Sequence, residues 1–113
     1  ITVNMVHGPP LNEGWVWRKS LLGLGTARRN YAILDAGKTL SFYSVKPSTP
    51  VEAADHLRLK LTAEDITEID LLEDKTIVLG CKFRVYEIRS ENGDIEAERW
   101  VKILREATGK EVR

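Results

Sequence analysis

The sequence predicts an α+β domain that is mostly β: a seven-stranded antiparallel barrel, or sandwich of two packed sheets, closed by one C-terminal amphipathic helix. Three observations predict it. Short runs rich in aromatic and β-branched residues recur as far as Ile88, with turn-forming residues between them. A single long helical periodicity follows, and only at the end. No helical pattern alternates with the strands, which excludes a doubly wound parallel sheet.

The elements follow in order. Gly8-Pro9-Pro10 marks a loop, so 1–12 reads as an extension or linker, 13–108 as the domain and 109–113 as a tail. The first three strands are expected at Glu13 to Ser20, Arg29 to Asp35 and Thr39 to Val45, with Ala36-Gly37-Lys38 turning the second into the third. Lys46-Pro47-Ser48-Thr49-Pro50 reads as a loop. Leu57, Leu59 and Leu61 alternate with Arg58 and Lys60, the period of a half-buried fourth strand. Thr62 to Leu72 is ambiguous: Ile66, Ile69 and Leu72 suit a helix, while Thr67, Ile69 and Leu71 suit a strand, and a strand after a short turn is favoured. Lys75 to Leu79 and Phe83 to Ile88 complete the seven, with Gly80-Cys81 as the turn between them. From Asp94 to Thr108, Ala97, Trp100, Val101 and Leu104 fall at helical spacing, with Asn92 or Asp94 to cap the start and Gly109 the end. Burying Trp100 in the open end of a barrel is worth roughly 2 to 3 kcal/mol.

Composition narrows the function. At 113 residues, 42% hydrophobic and 30% charged, the chain is one ordinary globular domain, with no apolar run long enough to span a bilayer. The lone Cys81 forms no internal disulfide and fits a reducing compartment. The only histidines, His7 and His56, make no metal-ligand spacing with Cys81, and no nucleophile, base and orienting acid assemble. Gly23-Leu24-Gly25-Thr26 lacks the lysine of a phosphate loop. The expectation is a non-enzymatic domain with no metal and no cofactor. Because the chain starts at Ile1 it reads as an excised piece, with any acylation or targeting signal lying upstream.

The charges sum to zero, 17 basic against 17 acidic, but they are unevenly spread. From Ile1 to Lys46 there are six basic residues and two acidic, whereas six acidic residues crowd between Glu64 and Asp74. Such a chain can orient one end against an anionic surface while the acidic face is repelled. The basic residues are too few for nucleic-acid binding. The segment Arg18-Lys19-Ser20-Leu21-Leu22-Gly23-Leu24-Gly25-Thr26-Ala27-Arg28-Arg29 sets two basic pairs on either side of three leucines. A hairpin there gathers up to four cations, although alternation sends Arg18 and Lys19 to opposite faces and makes Arg18 and Arg28 the better phosphate ligands. Leu21, Leu22 and Leu24 either insert into a membrane or fold back on the barrel mouth. Trp15 and Trp17 share one strand face, read as core in preference to a ring at the membrane interface.

Three stretches carry a family resemblance. Glu13-Gly14-Trp15-Val16-Trp17-Arg18-Lys19 resembles the first strand of a pleckstrin-homology (PH) domain, Arg28-Arg29-Asn30-Tyr31-Ala32-Ile33-Leu34 resembles its second, and Trp100 is similar to the tryptophan of the family's closing helix. The resemblance implies a head-group site at the open end of the barrel, with Arg18 and Arg28 as its bases, Lys19 and Arg29 beside them, and Ser44 and Lys46 from the third strand. Asn30 stands where strong inositol-phosphate binders of the family carry arginine. That departure favours a smaller phosphate head group. Within the family the sequence resembles acylated members that sense phosphatidic acid on secretory organelles.

The expected partner is therefore an anionic phospholipid, phosphatidic acid before a phosphoinositide. The resemblance further implies a monomer held peripherally on the cytoplasmic face of a membrane. A protein-binding scaffold with little lipid affinity is the alternative, since fold alone does not decide function.

Overall fold

In the computed structural model, residues 8–20 and 26–113 are described. Seven antiparallel strands form one curled sheet, and one long helix packs on it: β1 (Asn12–Ser20), β2 (Arg28–Leu34), β3 (Thr39–Tyr43), a short α1 (Pro50–His56), β4 (Leu57–Thr62), β5 (Ile66–Leu71), β6 (Ile77–Cys81), β7 (Val85–Ser90) and α2 (Asp94–Thr108). The strand order is β4-β3-β2-β1-β7-β6-β5. The two packed sheets expected from the sequence are the two ends of this one sheet. Both ends share a single core, in which Phe42 and Leu61 join Ile69, Leu79 and Trp100. Beside Phe42 and Trp100 the packed interior leaves a gap of only about 10 Å³.

Several boundaries differ from those read in the sequence, each for a physical reason. Gly80 and Cys81 belong to β6 and not to a turn. A Cβ on Gly80 would stand 3.2 Å from Glu68 Cβ, so this glycine lets two strands approach. The turn falls two residues later, closed by Cys81 N–H donating to Arg84 O at 2.8 Å. In β5 the register shifts between Ile66 and Glu68, so Ile66 and Ile69 both reach the core although they are three apart. That bulge explains why the segment, read as a strand, also carried a helical spacing. The proline-rich loop leads into α1, which the sequence reading missed. Thr49 Oγ1 accepts from Glu52 N–H at 3.1 Å and Pro50 opens the first turn, a signature that was present in the sequence. In β4 only Leu61 is buried, because the register shifts at Phe42/Tyr43 and leaves Leu57 exposed.

β1 also inverts an expectation. Val16 is fully buried, so Trp15 and Trp17 lie on the outer face and not in the core. Trp17 is 42% exposed, and Trp15 packs edge-on against Tyr31 at 5.2 Å.

At α2 the expected inner face is buried and Gly109, at φ 71°, ends the helix. Its start is Gly93, with no side-chain cap from Asn92 or Asp94. Beyond Gly109 the chain returns to the β5 edge, where Val112 pairs with Ile69. No helix among the described residues is long and apolar enough to cross a membrane.

Two stability predictions follow from this packing. Trp100 is 2% exposed, and its indole N–H has no partner among the described residues. Trp100→Ala should destabilise the domain by about 3 to 5 kcal/mol in urea titration, and Trp100→Phe by clearly less, because phenylalanine refills most of the space and removes an unpaired donor. In the β4–β5 turn, Asp65 accepts from Thr62 N–H at 2.8 Å and Thr62 Oγ1 at 2.9 Å, which holds its carboxyl below the usual aspartate range. A carboxylate lowered in the folded state adds stability above its unfolded pKa, and that stability is lost as pH falls through the folded value. Asp65→Asn, which retains an acceptor but cannot titrate, should therefore shrink the fall in Tm between about pH 4.5 and pH 2.5.

Candidate functional site

Arg18 and Arg28 face each other across the β1–β2 ladder at the end of the sheet. Val16 points into the core, so Arg18, two residues on, points the same way but beyond the packed interior, with its guanidinium 5.5 Å from the Phe42 ring. Arg18 Nε donates to Asn30 Oδ1 at 2.8 Å. Asn30 is 3% exposed, and its Nδ2 donates to the backbone oxygen of Arg29 at 3.0 Å. Both ends of this amide are thus committed to protein partners. Asn30 orients Arg18, and its Nδ2 carries a second N–H besides the one given to Arg29 O.

Arg18, Arg28, Asn30 and Ser44 line one open pocket of about 670 Å³, together with Ala27, Arg29 and Arg58. Burial, assisted by the charge of Arg28 and opposed by Tyr86, pushes the Arg18 guanidinium below its usual pKa, yet a guanidinium remains charged at neutral pH. The ion pairs found among the described residues involve Arg29, Lys75 and Arg113 and none of Arg18, Arg28 or Arg58. Three cations therefore converge on a concave space without a carboxylate partner. Ser44 N–H donates to His56 O at 2.9 Å, and Ser44 Oγ lies 3.0 Å from His56 Nδ1, which ties the end of β3 to the end of α1.

Of the remaining residues of the predicted site, only Arg29 borders the pocket among the described residues. Lys19 is on the outer face opposite Glu87. Arg29 borders the pocket, but its guanidinium is bound to Glu91 at 2.6 and 2.7 Å and stacks 3.8 Å over the Trp15 ring. That bond raises the Arg29 pKa and lowers that of Glu91. Lys46 is exposed, with Nζ 5.5 Å from the Tyr31 ring centroid. Tyr31 is itself on that outer side, its hydroxyl donating to Glu13 Oε1 at 2.6 Å; burial and this bond push the phenol pKa up. Leu21, Leu22 and Leu24 lie outside the described residues.

Arg58 is the contributor that the sequence reading missed. In Leu57-Arg58-Leu59-Lys60-Leu61 it alternates with the leucines as Lys60 does, and that local pattern does not separate the two cations. The short helix α1 brings the start of β4 to the pocket, and no periodicity announced that.

Neither a protein-family profile nor a curated protein matches the sequence. Solved structures do. The PH domain of human pleckstrin homology domain-containing protein family A member 5 superposes with a TM-score of 0.71 at 16% identity, covering 100% of this chain and 87% of that one. The N-terminal PH domain of human ARAP2 gives 0.67 at 18% identity, covering 86% and 77%. The PH domain of TgAPH gives 0.62 at 14% identity, covering 84% and 80%, a likeness of fold that does not single out any acylated subgroup. Identities this low establish architecture alone, and the architecture of this chain is the pleckstrin-homology fold.

Proposed function

We propose that this domain recruits its protein to an anionic membrane by seating one lipid phosphate among Arg18, Arg28 and Arg58. Domains of this fold serve as lipid- or protein-binding modules. The observation that carries the lipid reading is the convergence of three carboxylate-free guanidiniums on an open pocket at one end of the sheet. Cations held together in this way repel one another, and an anion relieves that repulsion. Arg18 is positioned in advance by Asn30, so little side-chain entropy is lost on forming its contact. Arg28 is exposed and reaches the phosphate from the opposite strand.

Phosphatidic acid is the head group that fits this inventory best. A phosphomonoester carries up to two negative charges, which three guanidiniums offset. A bisphosphorylated inositol needs more cations than the pocket holds, and Asn30 adds none. The segment containing Leu21, Leu22 and Leu24 connects Ser20 to Thr26, and insertion of its leucines is part of the same proposal. Contacts of this kind sum to marginal, reversible membrane affinity, so an acyl chain upstream is the natural second anchor. The location that follows is peripheral, on the cytoplasmic face, with the domain acting as a monomer. A protein ligand is the second reading, favoured by Trp17, which is 42% exposed on the outer face.

Two measurements test this. In vesicle co-sedimentation, Arg28→Ala, Arg18→Ala and Arg58→Ala should each weaken binding by about tenfold or more, because a charge-assisted contact is worth roughly 1.5 to 3 kcal/mol. Lys19→Ala, on the outer face, should change binding by less than about threefold. Equal losses from Lys19 and Arg28 would reduce the site to diffuse attraction. In charge-matched vesicle titrations, phosphatidic acid should bind more tightly than phosphatidylserine or a bisphosphorylated inositol lipid. A preference for the inositol lipid would overturn the head-group assignment.

A further inference from the structure

We infer that His56 is a proton-dependent positioning residue of the phosphate pocket: when its ring is protonated it frees the Ser44 hydroxyl to donate to a bound phosphate, so that binding draws in a proton. This rests on the phosphate-binding reading above and adds regulation to the same site.

Ser44 lines the pocket with Arg18, Arg28 and Arg58 but has no part in the seat formed by the three arginines. It lies just beyond β3 and is half-buried, as is His56, the last residue of α1. Two contacts join them. Ser44 N–H donates to His56 O at 2.9 Å, and Ser44 Oγ lies 3.0 Å from His56 Nδ1. The backbone bond holds the two residues together, so the side-chain contact can persist whichever partner donates. Two residues after His56 the chain supplies Arg58, and one short segment therefore carries both the ring and the third guanidinium.

The direction of donation decides what the pocket presents. A neutral imidazole with a bare Nδ1 takes the Ser44 O–H as its donor, and the hydroxyl then offers a phosphate only lone pairs. A protonated imidazole carries hydrogen on both nitrogens, so Nδ1–H donates to Oγ and the Ser44 O–H is released. A phosphate oxygen accepts that hydrogen bond and gains from the added positive charge as well. Phosphate thus favours the protonated ring, and by linkage the protonated ring favours phosphate. Affinity rises as pH falls through the histidine range.

The surrounding groups leave this proton to the imidazole. On α1, Glu52 stands one turn before His56 with its carboxylate accepting from Ser48 N–H at 3.1 Å, and Asp55 is exposed. Tyr43 and Lys46 flank Ser44 along the chain. The pocket adds Arg18, Arg28 and Arg58, while Arg29 at its border is held by Glu91. Carboxylate, phenol, ammonium and guanidinium groups ordinarily keep one charge state between about pH 5.5 and pH 8, and His56 is the one imidazole among the described residues.

The test is calorimetric titration of wild type, His56→Asn, Ser44→Ala and Arg28→Ala with soluble short-chain phosphatidic acid at about pH 8, 7 and 5.5, in pairs of buffers that differ in ionisation enthalpy. Asparagine keeps an amide near the Nδ1 position and cannot titrate. The ligand's own ionisation is common to all four proteins and cancels in their affinity ratios. From pH 8 to pH 5.5 the affinity of wild type relative to His56→Asn should rise about fivefold to tenfold. Near pH 7 wild type should take up more protons on binding than His56→Asn does, and Ser44→Ala should lose most of the rise. A ratio that stays constant, with equal proton uptake, overturns the inference. A full rise retained in Ser44→Ala overturns the positioning role, because the ring then acts through its charge alone. If Arg28→Ala binds like wild type while the His56→Asn difference persists, the inference stands and the three-arginine seat falls. A wild-type domain that binds the soluble lipid at none of these pH values overturns both.

Discussion

The side-chain parity of β1 is the constraint on which the rest of the molecule depends. Val16 is fully buried, and a strand that buries one residue must direct the next two-residue neighbours to the same face. Arg18 is therefore sent inward, at a depth where the core has ended and the Phe42 ring meets it. Shifting β1 by one residue would put Trp17 in that place and Arg18 in solvent. Core packing and pocket chemistry are thus two consequences of one register.

Across the same two strands, the opposite faces handle cations in opposite ways. On the outer face Arg29 is held by Glu91 and stacked on Trp15, while Tyr31 is bonded to Glu13. These charges are satisfied, and as exposed pairs they add little to stability. On the inner face Arg18 is bonded to the neutral Asn30 and lies against the Phe42 ring, with Arg28 across the ladder and no carboxylate paired with it among the described residues. A carboxylate at position 30 would neutralise the pocket. An amide orients the guanidinium and leaves its charge available, the feature on which the proposed phosphate site relies.

The sheet and α2 confine where a ligand can sit. Trp100, Val101 and Leu104 are buried against the curled sheet, and the interior is filled. The proposed phosphate site therefore lies at the rim, where Arg18 and Arg28 meet and the end of α1 comes beside the end of β3. The pocket's arginines stand near the ends of β1, β2 and β4, past the point where the packed core stops, so their chemistry can vary while the core stays unchanged.

The sequence by itself determined the strand count, the closing helix and the pairing of Arg18 with Arg28, because these depend on local periodicity and on short-range hairpin geometry. Asn30 was visible as a departure from an arginine, but its commitment to Arg18 needed the register of two strands. The bulge in β5, the strand approach at Gly80 and the outward placement of Trp15 and Trp17 were decided by the tertiary structure. Each depends on which face of a strand meets the rest of the sheet, and an alternating pattern of period two is compatible with either face until the core is assembled. Arg58 joined the pocket for the same reason: its neighbours come from β1, β2 and β3, and only the folded chain brings together residues forty positions apart.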